Sequence, residues 1–243
     1  DEEKREAWTV LEANAPPAAK KSHTKPWVEN VIDHLETPGQ WVLNTLERNI
    51  YYWPENGEPS DNIIAPKLKE YFRIEGNIDY QGAIDTPTKN IVFKGITFQH
   101  GERDSWWKGH KGWGIQHDWD KFDRGNAMLR FRGAENCEVL ECRFTNSGGS
   151  AIRLDLYAQN ITIKNNMIDF VGHMGVLLCG YGPGTKDVNK NNTITNNVIH
   201  HVGAVMKMGA AIFIWQSGSN IVSNNLIHHV PRKACLLYTS PSP

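Results

Sequence analysis

Apolar and polar residues alternate along this chain in short runs, and the runs repeat. Asn160-Ile-Thr-Ile-Lys-Asn-Asn-Met-Ile-Asp-Phe-Val-Gly172 matches Asn191-Asn-Thr-Ile-Thr-Asn-Asn-Val-Ile-His-His-Val-Gly203, and matches again at Ser219-Asn-Ile-Val-Ser-Asn-Asn-Leu-Ile-His-His-Val230. Looser copies begin at Asn136 and at Asn90. One apolar position anchors every copy: Phe93, Val139, Ile163, Ile194 and Val222, spaced by 46, 24, 31 and 28 residues. Within each copy the alternation has period two, as a pleated strand requires.

The repeat excludes several architectures. Helical repeats need a 3.6 period and good helix formers, whereas these segments are rich in Ile, Val, Thr and Asn. No Leu-x-x-Leu-x-Leu signature is present, and no hexapeptide period. Fixed strands joined by loops of drifting length predict an all-β solenoid, a parallel β-helix of about five coils. Parallel crossovers are overwhelmingly right-handed, so the right hand is expected.

A third strand completes each coil: Met128–Arg132, Ala151–Asp155, Gly175–Cys179 and Ala211–Trp215. Leu129/Phe131, Ile152/Leu154, Val176/Leu178 and Ile212/Ile214 should point inward. Two outward columns should then run Arg130, Arg153, Leu177, Phe213 and Arg132, Asp155, Cys179, Trp215. The Asn pairs 165/166, 196/197 and 224/225 mark one corner of successive coils, because Asn tolerates the left-handed backbone of a sharp turn. The His pairs 200/201 and 228/229 repeat with the coils. Metal ligation needs convergence, so a stacking role is expected and no metal site.

Residues 1–26 are polar and read as a poorly ordered or incomplete segment. Residues 27–89 read as an N-terminal β-hairpin, with strands joined around Asn44–Asn49, followed by an irregular entry coil that caps the solenoid. The β-helix proper is expected over 90–233, interrupted by an insertion at 101–126. Residues 234–243 break the pattern and read as a non-native tail.

Composition narrows the function classes. The 243 residues carry a net charge of −1, which argues against nucleic-acid or anionic-membrane partners. No apolar run is long enough to span a bilayer. The four cysteines show neither CxxC spacing nor a dense disulfide framework. The chain begins at Asp1 rather than Met, and both ends read as cuts.

Val28-Glu-Asn, Pro38-Gly-Gln-Trp, Ile50-Tyr-Tyr-Trp-Pro and the Asn-Ile-x-Phe-x-Gly-Ile-x-Phe run from Asn90 resemble bacterial right-handed parallel β-helix proteins of carbohydrate-active type. Glycoside hydrolases of the fucosidase/xylanase and xylosidase kinds share this layout. The resemblance spans roughly residues 27–233. It implies a secreted or periplasmic enzyme that is monomeric at full length. Its partner would be a polysaccharide or oligosaccharide of plant or algal origin.

Two interruptions of the repeat could carry chemistry, since loops between regular coils are common functional carriers. The first holds Trp113, His117, Trp119 and two further tryptophans, flat rings on which sugar C–H faces can stack. The second, Cys179–Lys190, holds Lys186 and Asp187. Both are expected to wall a groove along the sheet of third strands. Glycoside hydrolysis needs two carboxyl groups, about 5–5.5 Å apart for retention and about 6.5–9.5 Å for inversion. Asp155 is the first candidate, with Arg132 and Arg153 beside it. Asp118, Asp120 and Asp187 are candidate partners. Arg130, Arg132, Arg153, Lys186, Trp215 and Gln216 are candidate substrate contacts. A plain ion pair is the competing role for Asp155. No cofactor is expected: Asp118, Asp120 and Asp123 could suggest Ca²⁺, but the Gly and terminal Glu of a calcium loop are missing. A lyase or uronate epimerase would draw on the same arginines, and a non-catalytic adhesin or carbohydrate-binding solenoid would use the surface alone.

Overall fold

The structure of this chain, a computed structural model, describes residues 30–103, 127–182, 184–207, 209–231 and 233–238. The chain divides into two units between Ile64 and Ala65. In the first, β1 (Trp41–Asn44) and β2 (Asn49–Tyr52) form an antiparallel hairpin in which Trp41 faces Tyr52. The Asn44 side chain starts the connection by accepting the N–H groups of Leu46 and Glu47, each at 3.1 Å.

The second unit is a solenoid of five coils. The first coil comprises β3 (Phe72–Glu75), β4 (Thr88–Lys89), β5 (Val92–Lys94) and β6 (Thr97–Gln99). The second has β7 (Ala127–Glu135), β8 (Glu138–Leu140) and β9 (Arg143–Ser147). The third has β10 (Ser150–Gln159), β11 (Thr162–Lys164) and β12 (Met167–Val171). The fourth has β13 (Val176–Cys179), β14 (Asn189–Lys190), β15 (Thr193–Thr195) and β16 (Val198–Val202). The fifth has β17 (Ala210–Trp215), β18 (Ile221–Ser223) and β19 (Leu226–His228), and β20 (Lys233–Tyr238) follows.

Three parallel sheets result. The first runs β3-β7-β10-β13-β17-β20, with β4 on β7 and β14 on β10. The second runs β5-β8-β11-β15-β18 and the third β6-β9-β12-β16-β19. Strand β20 crosses the expected start of the tail at residue 234, its backbone pairing Ala210 with Lys233 through Trp215 with Tyr238. An open parallel edge accepts any extended backbone, so a break in the repeat motif does not prevent pairing.

The inward columns hold as the alternation requires. Leu129, Ile152, Val176 and Ile212 are neighbours up the first sheet, and Phe131, Leu154, Leu178 and Ile214 form the next column. All eight belong to the main core. Ile163 and Ile194 from the second sheet and Ile168 and Ile199 from the third complete it. Cys137 and Cys142 are buried there as free thiols.

Polar side chains make the corners. Asn165, Asn196 and Asn224 take φ of 59°, 56° and 53°, so the chain turns there through the left-handed region. The next residue in each coil points into the corner. Asn197 Oδ1 accepts the Asn166 N–H and Nδ2–H, both at 2.9 Å, and Asn197 Nδ2 donates to Ile163 O at 3.0 Å and to Asn225 Oδ1 at 2.9 Å. Asn166 repeats the bridge to Cys142 N and Val139 O one coil earlier. These residues are 1–2% exposed, so each amide replaces water that cannot reach the corner.

Replacing Asn197 with Ala should lower stability by about 3 kcal/mol, since several buried partners lose their bond at once. Asn196→Gly, at the left-handed position beside it, should cost less than about 1 kcal/mol. Chemical denaturation of the two variants checks the order, and equal costs would refute the role given to the amide ladder.

Candidate functional site

The outer face of the first sheet carries two columns. Register places Arg73, Arg130, Arg153, Leu177 and Phe213 in one, and Glu75, Arg132, Asp155, Cys179 and Trp215 in the other. Charge dominates the early coils and apolar side chains the late ones. One of the two segments expected to wall a groove here, the 101–126 insertion, lies largely outside the described residues. Arg130, Arg153 and Asp155 are 0% exposed, and Leu177, Cys179, Phe213 and Trp215 are also buried. The physical reason differs along the face. The apolar members join Met174 and Ala210 in a second, outer hydrophobic cluster. The charged members neutralise one another.

Asp155 illustrates the neutralisation. Arg130 Nε donates to its Oδ2 and Arg153 Nε to its Oδ1. Both carboxylate oxygens are thus occupied by guanidinium groups in a site without accessible surface. Asp155 is the centre of an ion cluster. Arg132 stands opposite Asp155 in register on the neighbouring coil and donates to Glu75. Glu70 extends the cluster: its Oε1 lies 2.7 Å from Arg73 Nε and its Oε2 3.7 Å from Arg130 Nη1. Asp187 lies in the opposite environment. Its side chain is 80% exposed and 3.3 Å from Lys190 Nζ. Trp215 is packed in the outer cluster, and Gln216 follows it at a left-handed corner with φ of 51°. Asp118, Trp113, His117 and Trp119 lie outside the described residues.

The structure assembles a different set. Two irregular segments leave the first sheet at equivalent places, one between β3 and β4, the other between β13 and β14. They meet. Tyr181 Oη donates to Asp85 Oδ1 at 2.8 Å, and Lys186 Nζ lies 3.1 Å from the same oxygen. The Asp79 N–H also donates to it, at 2.9 Å, and Lys186 reaches the Asp79 carbonyl. Tyr80 packs edge-on against Tyr181, with centroids 5.9 Å apart, and Arg132 lies over the Tyr80 ring.

Between these coils, β10 changes register between Asp155 and Ala158. The bulge includes Leu156 at φ of 51° and redirects Tyr157. Tyr157 Oη donates to Glu135 Oε2 at 2.8 Å, and Lys89 Nζ lies 3.1 Å from that oxygen. Two carboxylates, Asp85 and Glu135, therefore each hold one tyrosine hydroxyl and one lysine ammonium.

Titration follows from these partners. The Tyr157 hydrogen bond and then Lys89 hold Glu135 below the usual carboxylate range. Burial, the bond to Glu135 and the Glu135 and Asp85 charges push Tyr157 up to about 12. Burial and then the Asp85 bond push Tyr181 up as well. Both phenols remain neutral donors at any ordinary working pH. Among the described residues no group of three or more His, Cys, Asp or Glu could hold a metal ion.

Lys186 and Arg132 were legible as candidates, but Asp85, Glu135, Tyr157 and Tyr181 were not. A signal existed for Asp85: Asn77-Ile-Asp-Tyr-Gln-Gly-Ala-Ile-Asp85 interrupts the repeat and is acidic. Glu135 and Tyr157 lie in regular strands, and only the bulge sets them apart.

Comparison with family models finds one match: the right handed beta helix region, over residues 72–227. That span opens at β3 and closes in β19. No curated protein and no solved structure matches the chain.

Asp155→Ala should destabilise the fold by about 3–5 kcal/mol, because two buried guanidinium groups lose their counter-ion. Asp187→Ala should cost less than about 0.5 kcal/mol, as its ion pair is exposed. Thermal or denaturant unfolding separates the two. Alkaline pH gives a second check. Tyr157 ionises near 10.0 when unfolded and at about 12 when folded. Its contribution is complete below the lower value and is lost as pH rises towards the upper one. Tyr157→Phe should therefore flatten the alkaline decline in stability, and an unchanged slope would contradict the assignment.

Proposed function

We propose that this chain, which belongs to the right-handed β-helix family, is a carbohydrate-active enzyme that hydrolyses glycosidic bonds of a polysaccharide. Membership of the family is compatible with both carbohydrate-active and carbohydrate-binding roles. The observation that carries the hydrolytic reading is the presence of two carboxylates on segments of the first sheet, Asp85 with its side chain 1% exposed and Glu135 with its side chain 18% exposed, each with its own tyrosine and lysine. Hydrolysis requires two carboxyl groups, one as acid and one as base or nucleophile. The neighbouring Tyr80 and Tyr181 rings offer apolar faces for sugar C–H groups. Arg132, Lys89 and Lys186 supply donors for hydroxyl oxygens.

In this reading Asp155 is a positioning residue. It locks Arg130 and Arg153, and so fixes the strands that lead into the bulge. A lyase is the weaker alternative. Its base must lose a proton near neutrality, whereas the environment of Tyr157 and Tyr181 pushes both phenols the other way. A polysaccharide substrate also sets the working place outside the cytoplasm.

The test is product analysis with a panel of plant and algal polysaccharides. Release of reducing ends without a new ultraviolet-absorbing double bond is expected. Asp85→Asn and Glu135→Gln should each lower turnover by about 10²–10⁴-fold while the folded signal persists. An unsaturated product would identify a lyase. Binding with no turnover by the wild type would identify a carbohydrate-binding solenoid. Full activity in both variants would remove these carboxylates from the mechanism.

A further inference from the structure

Four histidines outside the candidate site join the fourth coil to the fifth. Register on the third sheet aligns Thr145, Asp169, His200 and His228. The residues that follow them, Asn146, Phe170, His201 and His229, take φ of 47–51° and turn the chain at the left-handed corner. His200 and His201 form an inner pair hydrogen-bonded through their Nδ1 atoms at 2.8 Å, and His228 and His229 form an outer pair at 2.6 Å. His200 stacks on His228 and His201 on His229, each with centroids 4.7 Å apart. Phe170 stacks on the other side of His201, also at 4.7 Å. The His201 N–H donates to His229 O at 3.0 Å. The inner pair is thus enclosed between Phe170 and the outer pair, whose His229 is exposed.

We propose that the His200–His201 pair is an acid-sensitive latch, which holds the fifth coil on the fourth while the pair carries at most one added proton and releases it when the pair carries two. The hydrogen bond between two Nδ1 atoms needs a proton on one of them and a lone pair on the other. A neutral pair satisfies this, and so does a pair with one added proton, whose charged donor strengthens the bond. A second added proton sets N–H against N–H, so the bond is lost and two adjacent cations repel. The outer pair can relax by turning into water, since His229 is exposed. The inner rings part only by displacing the rings stacked on them. The charged and titratable groups facing His200 are Asp169 on β12, His201 beside it, and His228 and His229 on the fifth coil. Burial is the largest influence and favours neutral His200; the imidazoles act in the same sense and Asp169 in the opposite one. Arg143 Nη2, 2.8 Å from Asp169 Oδ2, offsets that carboxylate. In an unfolded chain each imidazole takes up its proton near 6.5. The opened junction therefore binds two protons where the closed one binds one, and the latch is complete above that value and weakens as pH falls below it.

The latch reaches the candidate site through the fifth coil. Gly180 N–H donates to Trp215 O at 3.0 Å, Gly218 N–H to Asn189 O at 3.1 Å, and Ser217 Oγ to Asn189 Oδ1 at 2.7 Å. The segment that carries Tyr181 and Lys186 is thus held at both ends by the coil that acid releases. A loss of turnover in acid rests on the hydrolase reading, whereas the opening itself does not.

The experiment is hydrogen–deuterium exchange on the full chain between about pH 7 and about pH 5, corrected for the intrinsic pH dependence of exchange. The opening equilibrium of β17 to β19 should rise about tenfold per pH unit below the imidazole range, for a difference of one proton. The Gly180 amide should follow it, and β8 and β9 should not respond. The double variant His200→Thr/His201→Asn rebuilds at this corner the Thr145-Asn146 pair that the second coil already uses there. It should fold and lose the acid response. A wild-type fifth coil whose protection is independent of pH, a response spread evenly over the second to fifth coils, or an equal response in the folded variant would each overturn the proposal. If the variant does not fold, nitrogen-15 shifts of the wild-type imidazoles decide: uptake of two protons by His200 and His201 with protection unchanged would overturn it. Release of reducing ends at neutral pH tests the hydrolase separately, so either reading can fail alone.

Discussion

The side-chain amides of Asn166, Asn197 and Asn225 occupy the corner between the second and third sheets, and the solenoid depends on them. A sharp turn between strands leaves backbone donors and acceptors that no sheet ladder can pair. Asn197 answers this by bonding backbone and side chain of the coil before it and the amide of the coil after it. Each corner is completed only when the neighbouring coil is present. The same holds for the core, since Ile163 and Val139 are covered by the next coil's equivalents. Stacking is therefore obligatory, and stability accumulates coil by coil.

That constraint fixes the inner face and leaves the outer face of the first sheet free to vary. The variation is graded. Arginine and carboxylate neighbours occupy the early coils, and Leu177, Cys179, Phe213 and Trp215 the later ones. In-register stacking brings like residues within one strand spacing, so Arg130 and Arg153 are neighbours in a column of their own. Asp155 in the adjacent column relieves their repulsion by binding both. Removing two guanidinium groups and a carboxylate from water is costly unless they satisfy one another. This explains why the cluster is compact.

The proposed site lies where regularity fails. The first sheet is interrupted in the first and fourth coils at matching places, and the emerging segments meet through Asp85, Tyr181 and Lys186. The third coil crosses the same level with a bulge that turns Tyr157 towards Glu135. A solenoid surface is otherwise a set of straight columns, which offers a ligand little concavity. In the proposed hydrolase the segments that rise from it and meet would flank the substrate, with Asp85 and Glu135 as its two carboxylates.

Sequence by itself determined the repeat, the three-strand coil, the inward columns and the Asn corners. Each is a local pattern copied along the chain, and stacking preserves local patterns in register. Which side chains share a site was decided by tertiary structure. Asp155 and Asp187 read as a possible carboxyl pair, yet one is sealed between Arg130 and Arg153 and the other is exposed beside Lys190. Asp85 and Tyr181 stand 96 residues apart and share a hydrogen bond, because two loops of unlike composition start from the same level of one sheet. Periodicity specifies where a strand lies and which way it faces. It carries no information on where two aperiodic loops converge, since that depends on their own backbone paths and on the strands that launch them.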